Sequence, residues 1–367
     1  MNMAHGIFLH IHAYPNRIDS FDVIVTRILE IPFFSCRFII TYVELFFHND
    51  AKVQINRVKN DIKNFIFART TTNFFTLKPM NEFSTNHLVF FSPTHTSAKI
   101  ARAIGEGIGM GRRIETDLTL DESDSPIEIN DSLTVIAAPV YGGRVAPVAL
   151  QRIKRLKGNN SPAIVVVVYG NRDYEDALLE LRDTVASLGF TPLSAGAFIG
   201  EHSYSTAEMP VAAGRPDATD LQIARTFGAD SLKKLEKAMQ NSEALSTLTP
   251  SLQAGCRLKA MGDKLSMLIG SFFIKGTSPY KLIQASKPSA PVCNEDCFVC
   301  GECIEVCPTH AIRISDDGSH IETDVNRCIR CCACVKECPN GARIYNTPFT
   351  AILHEKFSTP RQPELFL

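Results

Sequence analysis

Eight of the twelve cysteines in this 367-residue chain recur at one spacing near its C-terminal end. "CFVCGECIEVCP" sets Cys297, Cys300, Cys303 and Cys307 before Pro308, and "CIRCCACVKECP" sets Cys328, Cys331, Cys334 and Cys338 before Pro339. Both read C-x2-C-x2-C-x3-C-P. Three thiolates so spaced wrap a short loop around one face of an iron–sulfur cube. The fourth, set apart by the longer gap and the proline, reaches the neighbouring cluster. The spacing therefore predicts one [4Fe–4S] cluster on Cys297, Cys300, Cys303 and Cys338, and a second on Cys328, Cys331, Cys334 and Cys307. Zinc is the competing ligand, but structural zinc sites use two separated C-x2-C pairs without a third evenly spaced cysteine or the proline. A disulfide framework suits small secreted domains, whereas this length suggests about two domains with their own cores. Cys332 is off the ligand spacing and reads as a small filler. Cys293, in "APVCNEDC", reads as a buried thiol on a short strand.

A second set of residues carries different chemistry. In "HLVFFSPTHTSAKIARAIGEGIG" an apolar strand at 87–91 runs into a hydroxyl-rich turn and then an amphipathic helix from about Ser97. Free amides and the helix dipole make such a turn an anion site. Ser92, Thr94, Thr96 and Ser97 add donors without cationic charge, which suits a flavin 5′-phosphate. An ordinary capped helix, with Thr96 or Ser97 as N-cap, is the plainer alternative.

The elements that must position these residues are legible as apolar runs. "SLTVIAAPVYGGRVAP" is a second buried strand ending in a glycine loop with Tyr141 at its tip. "AIVVVVYGNRDYEDALLELRDTVASLG" is a third strand, a loop and a helix. "GFTPLSAGAFIG" supplies a fourth strand and "ATDLQIARTFGADSLKKLEKAM" a closing helix. Near-continuous apolar strands alternating with helices predict a parallel, doubly wound sheet. Ligands of such sheets sit beyond the C-terminal ends of the strands, where these loops converge. "GEGIGMG" at 105–111 lacks dinucleotide register and follows a helix, so it marks a helix end.

Two resemblances follow. "CPTHAIRI" and "CPNGARIY" continue the cysteine repeat, and residues 291–347 resemble the bacterial two-cluster ferredoxin. This implies a small pseudo-twofold α+β module with electron hopping between clusters. Residues 86–240 resemble flavodoxin, which implies an α/β sheet of order 2-1-3-4-5. The combination "FFSPTHTS", "APVYGGRVAP", "YGNRDYEDAL", "AFIGEHSYS" and "AAGRPDATD" is similar to the EFR-type ferredoxins of anaerobic bacteria, in which both modules are joined. The resemblance implies FMN held at its phosphate by Ser92, Thr94 and Ser97, with His95 and Thr96 in the same loop. It places Pro139, Tyr141, Gly142 and Gly143 on one flank of the isoalloxazine and Gly170, Asn171 and Tyr174 on the other. The loop departs from flavodoxin at His95 and Thr96, where glycine and asparagine are common and where histidine tolerates unusual backbone angles less well. Tyr141 and Tyr174 as plain packing aromatics, and His202 as a hydrogen-bonded loop residue, are the simpler readings.

The charge balance of 38 Lys+Arg against 39 Asp+Glu gives no basic excess for nucleic acid. Residues 1–85 read as a leader. Its first 79 residues hold eleven of the 23 phenylalanines yet no motif, so a true start near Met80 is expected. Charged residues interrupt its apolar runs, and no membrane span is expected. Residues 241–290 read as a linker and 348–367 as a C-terminal tail. The expectation is a cytoplasmic electron carrier between FMN and two [4Fe–4S] clusters, serving unidentified redox donor and acceptor proteins. A flavin-dependent reductase supplied by the clusters is the alternative, and a flavin-free redox sensor a third.

Overall fold

A computed structural model describes residues 85–247, 274–283 and 288–367. The expected start at Met80 and nearly all of the leader lie outside the described residues, as do Cys36, Cys256 and most of the 241–290 segment. The central sheet holds five parallel strands: β1 (Thr85–Phe90), β2 (Arg112–Asp117), β4 (Ser132–Tyr141), β7 (Pro162–Tyr169) and β8 (Thr191–Ile199). Their order is β2-β1-β4-β7-β8, the 2-1-3-4-5 order of a flavodoxin-like fold. Short pairs β3 (Ile127–Glu128) with β6 (Leu156–Lys157), and β5 (Arg144–Val145) against β4, lie off this path.

The four strands inside the sheet, β1, β4, β7 and β8, are largely buried on both faces because helices cover both, and the edge strand β2 is mostly exposed. Leu88 and Phe90 pack with helix α1 (Thr96–Ile108) and helix α4 (Ala218–Thr247). Val89 and Phe91 face the opposite way, toward α2 (Pro147–Ile153) and α3 (Ala177–Ser187). α1 and α4 approach so closely that a Cβ on Gly107 would overlap the Arg225 carbonyl and one on Gly228 the Ile104 carbonyl. The glycines of "GEGIGMG" thus serve helix packing at Gly107 and a left-handed C-cap at Gly109 (φ 61°).

Residues 348–367 are not a tail. They form α7 (Pro348–Phe357) and β13 (Glu364–Phe366), and β13 joins the sheet antiparallel to β8, pairing Leu365 with Gly196. Just before the cysteine module, residues 274–283 run along α3. There the Asp176 carboxylate accepts from Thr277 N, Thr277 Oγ1 and Lys281 N at 2.8, 2.9 and 2.6 Å.

The cysteine module comprises β9 (Val292–Cys293), α5 (Glu302–Glu305), the hairpin β10 (Ile312–Ile314) and β11 (Ile321–Thr323), α6 (Ala333–Lys336) and β12 (Arg343–Ile344). Its two halves repeat in backbone as well as sequence. Positive φ occurs at Val299, Gly301 and His310, and again at the equivalent Arg330, Cys332 and Gly341. Cys332, read as filler, therefore occupies in the second loop the left-handed position that Gly301 fills in the first.

Candidate functional site

The cysteine spacing turns each loop around a cavity. One is lined by Cys328, Cys331 and Cys334 from the second loop, and by Cys307 from the end of the first. The other is lined by Cys297, Cys300 and Cys303, and by Cys338 from the second loop. Each cavity thus receives three cysteines from one repeat and the last from the other. Among the described residues, no three His, Cys, Asp or Glu side chains converge as they would around a single ion.

Burial makes four of these thiols, Cys303, Cys328, Cys331 and Cys334, reluctant to ionise. It pushes Cys303 up to about 11 and Cys331 up to about 12. An electron-poor metal centre offsets that cost, because a coordinated thiol is deprotonated outright. The surrounding donors favour the same outcome. Ala311 N donates to Cys307 Sγ at 3.3 Å, and the buried Arg343 guanidinium lies 3.6 Å from Cys293 Sγ and 3.8 Å from Cys334 Sγ. An amide and a cation aimed at sulfur stabilise an anionic cluster.

The hydroxyl loop follows β1. Ser92 N donates to Thr119 Oγ1 at 2.8 Å, and Ser92 Oγ accepts from Ala98 N at 3.0 Å, tying the loop to the first turn of α1. His95 is the N-cap and adopts the left-handed conformation (φ 61°) despite its side chain. The glycine-like geometry is therefore present without the glycine. Thr94 and Thr96 are half-buried. Ser97 is fully buried at the helix N-terminus, and its hydroxyl has no hydrogen-bond partner. An orphaned hydroxyl beside free helix amides is what a phosphate-binding turn requires, so the phosphate end fits FMN.

The two expected ring flanks differ. On the first, Pro139 is buried and its carbonyl accepts from Ala146 N at 3.0 Å, closing the turn at Gly142 and Gly143 (φ 62° and 83°). Tyr141 at this turn is half-buried, with Cys328, Cys331, Cys332 and Tyr204 as electrostatic neighbours. Burial first, and those groups after it, push its phenol well above the ordinary range. On the second flank the expectation for Tyr174 is overturned. Its ring is fully buried in the sheet core, tilted against Tyr169 at 5.5 Å, and its hydroxyl donates to Glu364 Oε2 of β13 at 2.6 Å. It is a packing aromatic and does not present a face to a flavin. Asn171 is also turned away. Its amide donates to the Phe357 and Thr359 carbonyls, and its Oδ1 accepts from Arg361 N at 3.0 Å. Gly170 packs closely on His202, where a Cβ would fall 2.4 Å from Cδ2.

His202 and Tyr204 lie on the loop after β8. His202 Nδ1 accepts from Tyr204 N at 3.0 Å, and burial lowers the imidazole to about 4, so it is neutral with its proton on Nε2. Tyr204 stands edge-on between His202 (5.0 Å) and Tyr345 of the cysteine module (5.1 Å).

These contacts belong to a continuous join. Ile329, between Cys328 and Cys331, packs on the flavodoxin-like core. The buried Arg152 guanidinium, stacked near Phe91, donates to the Leu118 and Thr119 carbonyls and, at 2.7 Å, to Pro308 O. Lys336 Nζ reaches Glu201 Oε1 at 2.6 Å and Ser205 O at 3.0 Å, and His95 Nε2 lies 3.3 Å from Glu337. Sequence reasoning missed Arg152, Tyr204 and Lys336. The one available signal was "GEHSYS", an aromatic-bearing loop after the last parallel strand.

Residues 292–339 match a protein family described as a 4Fe-4S dicluster domain. Over 44 residues the chain is 41% identical to a protein of Halobacterium salinarum named as an iron-sulfur component of dimethyl sulfoxide reductase. That stretch is 12% of this chain and 16% of that protein. The C-terminal module is an iron–sulfur module. Among solved structures, a flavodoxin from the domain Archaea is similar at 14% identity, with 41% of this chain and 99% of that one covered and a TM-score of 0.27. Rubredoxin oxygen:oxidoreductase from Desulfovibrio gigas is similar at 16% identity, with 44% and 37% covered and a TM-score of 0.29. The flavodoxin-like fold rests on the strand order and register of this chain itself. Among the described residues, no helix is long and apolar enough to cross a membrane.

Proposed function

We propose that this protein is a cytoplasmic electron carrier of the EFR-type ferredoxin kind, connecting FMN and two [4Fe–4S] clusters to separate redox proteins. In this reading Cys297, Cys300, Cys303 and Cys338 hold the first cluster, and Cys328, Cys331, Cys334 and Cys307 the second. FMN, when bound, would exchange one or two electrons and each cluster one at a time. The observation that carries the reading is the position of the second cavity. Ile329 of its lining packs on the flavodoxin-like core, and Pro308 of its lining accepts from Arg152 of that core. The chain's own residues hold the two sites in register. Arg152 fixes the Cys307–Pro308 corner, and Lys336 fixes the end of the second loop.

At the flavin site, Ser97 and Thr94 would bind the phosphate, and Tyr141 and the His202–Tyr204 pair would bound the ring and exclude water. Tyr174 and Asn171 are dropped from the binding set. Anaerobic reconstitution with iron, sulfide and FMN tests the whole reading through iron, sulfide and flavin stoichiometry. Thr94→Ala and Ser97→Ala should weaken FMN about ten- to a hundredfold, the effect of losing one hydrogen bond to a charged group. Ser97→Ala should leave apoprotein stability unchanged or slightly raised, because its hydroxyl has no partner to lose. If the unmutated protein takes up no FMN at micromolar concentration, the function contracts to a ferredoxin on an empty scaffold.

A further inference from the structure

We infer that the cavity lined by Cys297, Cys300, Cys303 and Cys338 is the port through which single electrons cross to or from a separate protein with a positively charged docking face. The inference rests on the proposed function, and it adds an order to the relay: flavin, second cluster, first cluster, partner.

The asymmetry of the two cavities carries it. The second faces the flavodoxin-like module. Ile329 of its lining packs into that core, Arg152 donates to Pro308 O of its lining, and Lys336 of the same loop binds Glu201. The first opens outward. Cys300 is exposed, and Phe298 beside it leaves 64% of its surface in water although it is a large apolar ring. In the stretch from 294 to 307 that carries this ring, every charged side chain is acidic and exposed: Glu295, Asp296, Glu302 and Glu305. Glu295, Glu302 and Glu305 form no ion pair among the described residues, and the nearby cation Arg343 is 2% exposed, turned inward to Thr323 and the sulfurs.

An apolar centre within a rim of one charge sign is the anatomy of an encounter surface. The rim steers association and the centre supplies the contact. The fit is to a basic protein with an exposed one-electron group, bound through a small and transient interface. In the transfer itself one electron leaves the first cluster and one enters the partner's metal centre, or the reverse. No bond forms or breaks, and no proton needs to move.

Ferric cytochrome c, a basic one-electron haem protein, is a suitable probe. The reconstituted holoprotein, reduced and freed of reductant without oxygen, should reduce it at a rate that falls about tenfold or more from low to high salt. The variant Glu295→Gln/Glu302→Gln/Glu305→Gln should lose most of that salt dependence and about tenfold of the low-salt rate, with iron and flavin contents and EPR signals unchanged. Phe298→Ala should slow transfer at both salt levels. Carbodiimide cross-links to cytochrome c lysines should map to the same three glutamates. An Asp124→Asn/Glu208→Gln/Glu355→Gln variant, with the same change in net charge elsewhere, should behave as the unmutated protein. An unmutated rate and salt slope in the port variant, an equal loss in the control, or cross-links on the flavodoxin-like module would overturn the port. An unmutated protein that holds no cluster would instead overturn the proposed function, and the port with it.

Discussion

The two cysteine cavities are built from one repeated loop, turn for turn, yet one is pressed against the flavodoxin-like module and the other looks out to water. Symmetry of sequence has not produced symmetry of surroundings. The difference arises outside the ligand spacing, in residues that the repeat does not share. Ile329 faces the neighbouring core where the first loop has the exposed Phe298 at its own second position. Lys336 reaches across the join where the first loop has Glu305 in water. A repeat can thus supply two equal binding loops while a few substitutions assign one inward and the other outward.

The largest expected effect breaks that comparison by removing a crossing cysteine. Cys307→Ala should cost the docked cluster and about half of the iron, leaving one EPR centre without magnetic coupling to a second. Cys338→Ala should cost the outward cluster instead, and Cys332→Ala neither. Loss of the cluster nearest in sequence would refute the crossover. Next, Arg152→Ala strips a buried cation from three carbonyls at the join. Each buried group left without a partner costs about 1–3 kcal/mol. Unfolding by denaturant should shift accordingly, whereas Phe298→Ala on the outward side should leave stability almost unchanged.

A pH effect sharpens the docked side further. Burial lowers His202 to about 4, below its ordinary value, so the unfolded chain binds its proton first as acidity rises. Stability from this residue is complete above about pH 6.5 and is lost progressively toward pH 4. His202→Gln should flatten that part of a pH series of denaturant melts, and an unchanged slope would mean the imidazole is solvated. The smallest effect is that of Tyr174→Phe, which removes one hydrogen bond to Glu364. A loss of about 1 kcal/mol is expected, with FMN retention and potential unchanged. A spectral change in the bound flavin would restore Tyr174 to the ring site.

Much of this molecule is legible in its sequence, and the exceptions share a cause. Four of the five parallel strands announce themselves as apolar runs because both of their faces are buried, whereas β2, RRIETD at the sheet edge, is mostly exposed and carries no such run. The cysteine loops announce themselves because ligand geometry leaves little freedom in spacing. β13 has neither signal. "ELF" is three residues of edge strand whose partner lies more than 160 residues away, so no local period marks it. Tyr174 reads as a loop aromatic because the glutamate that claims its hydroxyl belongs to that same late strand. Arg152 looks like a solvated helix cation, since nothing near it in sequence shows that Pro308 will cover it. His95 misleads in the other direction: its residue type argues against the turn, and the fold imposes the turn regardless.

The strand β13 also sets how the gene for this protein could be rearranged. The cysteine module is encoded between the fourth helix of the flavodoxin-like fold and that fold's own outermost strand, so it is an inlay and not a trailing cassette. Cutting after α4 yields a sheet whose β8 edge is bare. Appending a foreign ferredoxin at that point would leave the same raw edge, with its amides unpaired and open to strand addition from another chain. An exchange of modules that preserves the sheet must therefore replace an internal segment and keep both borders.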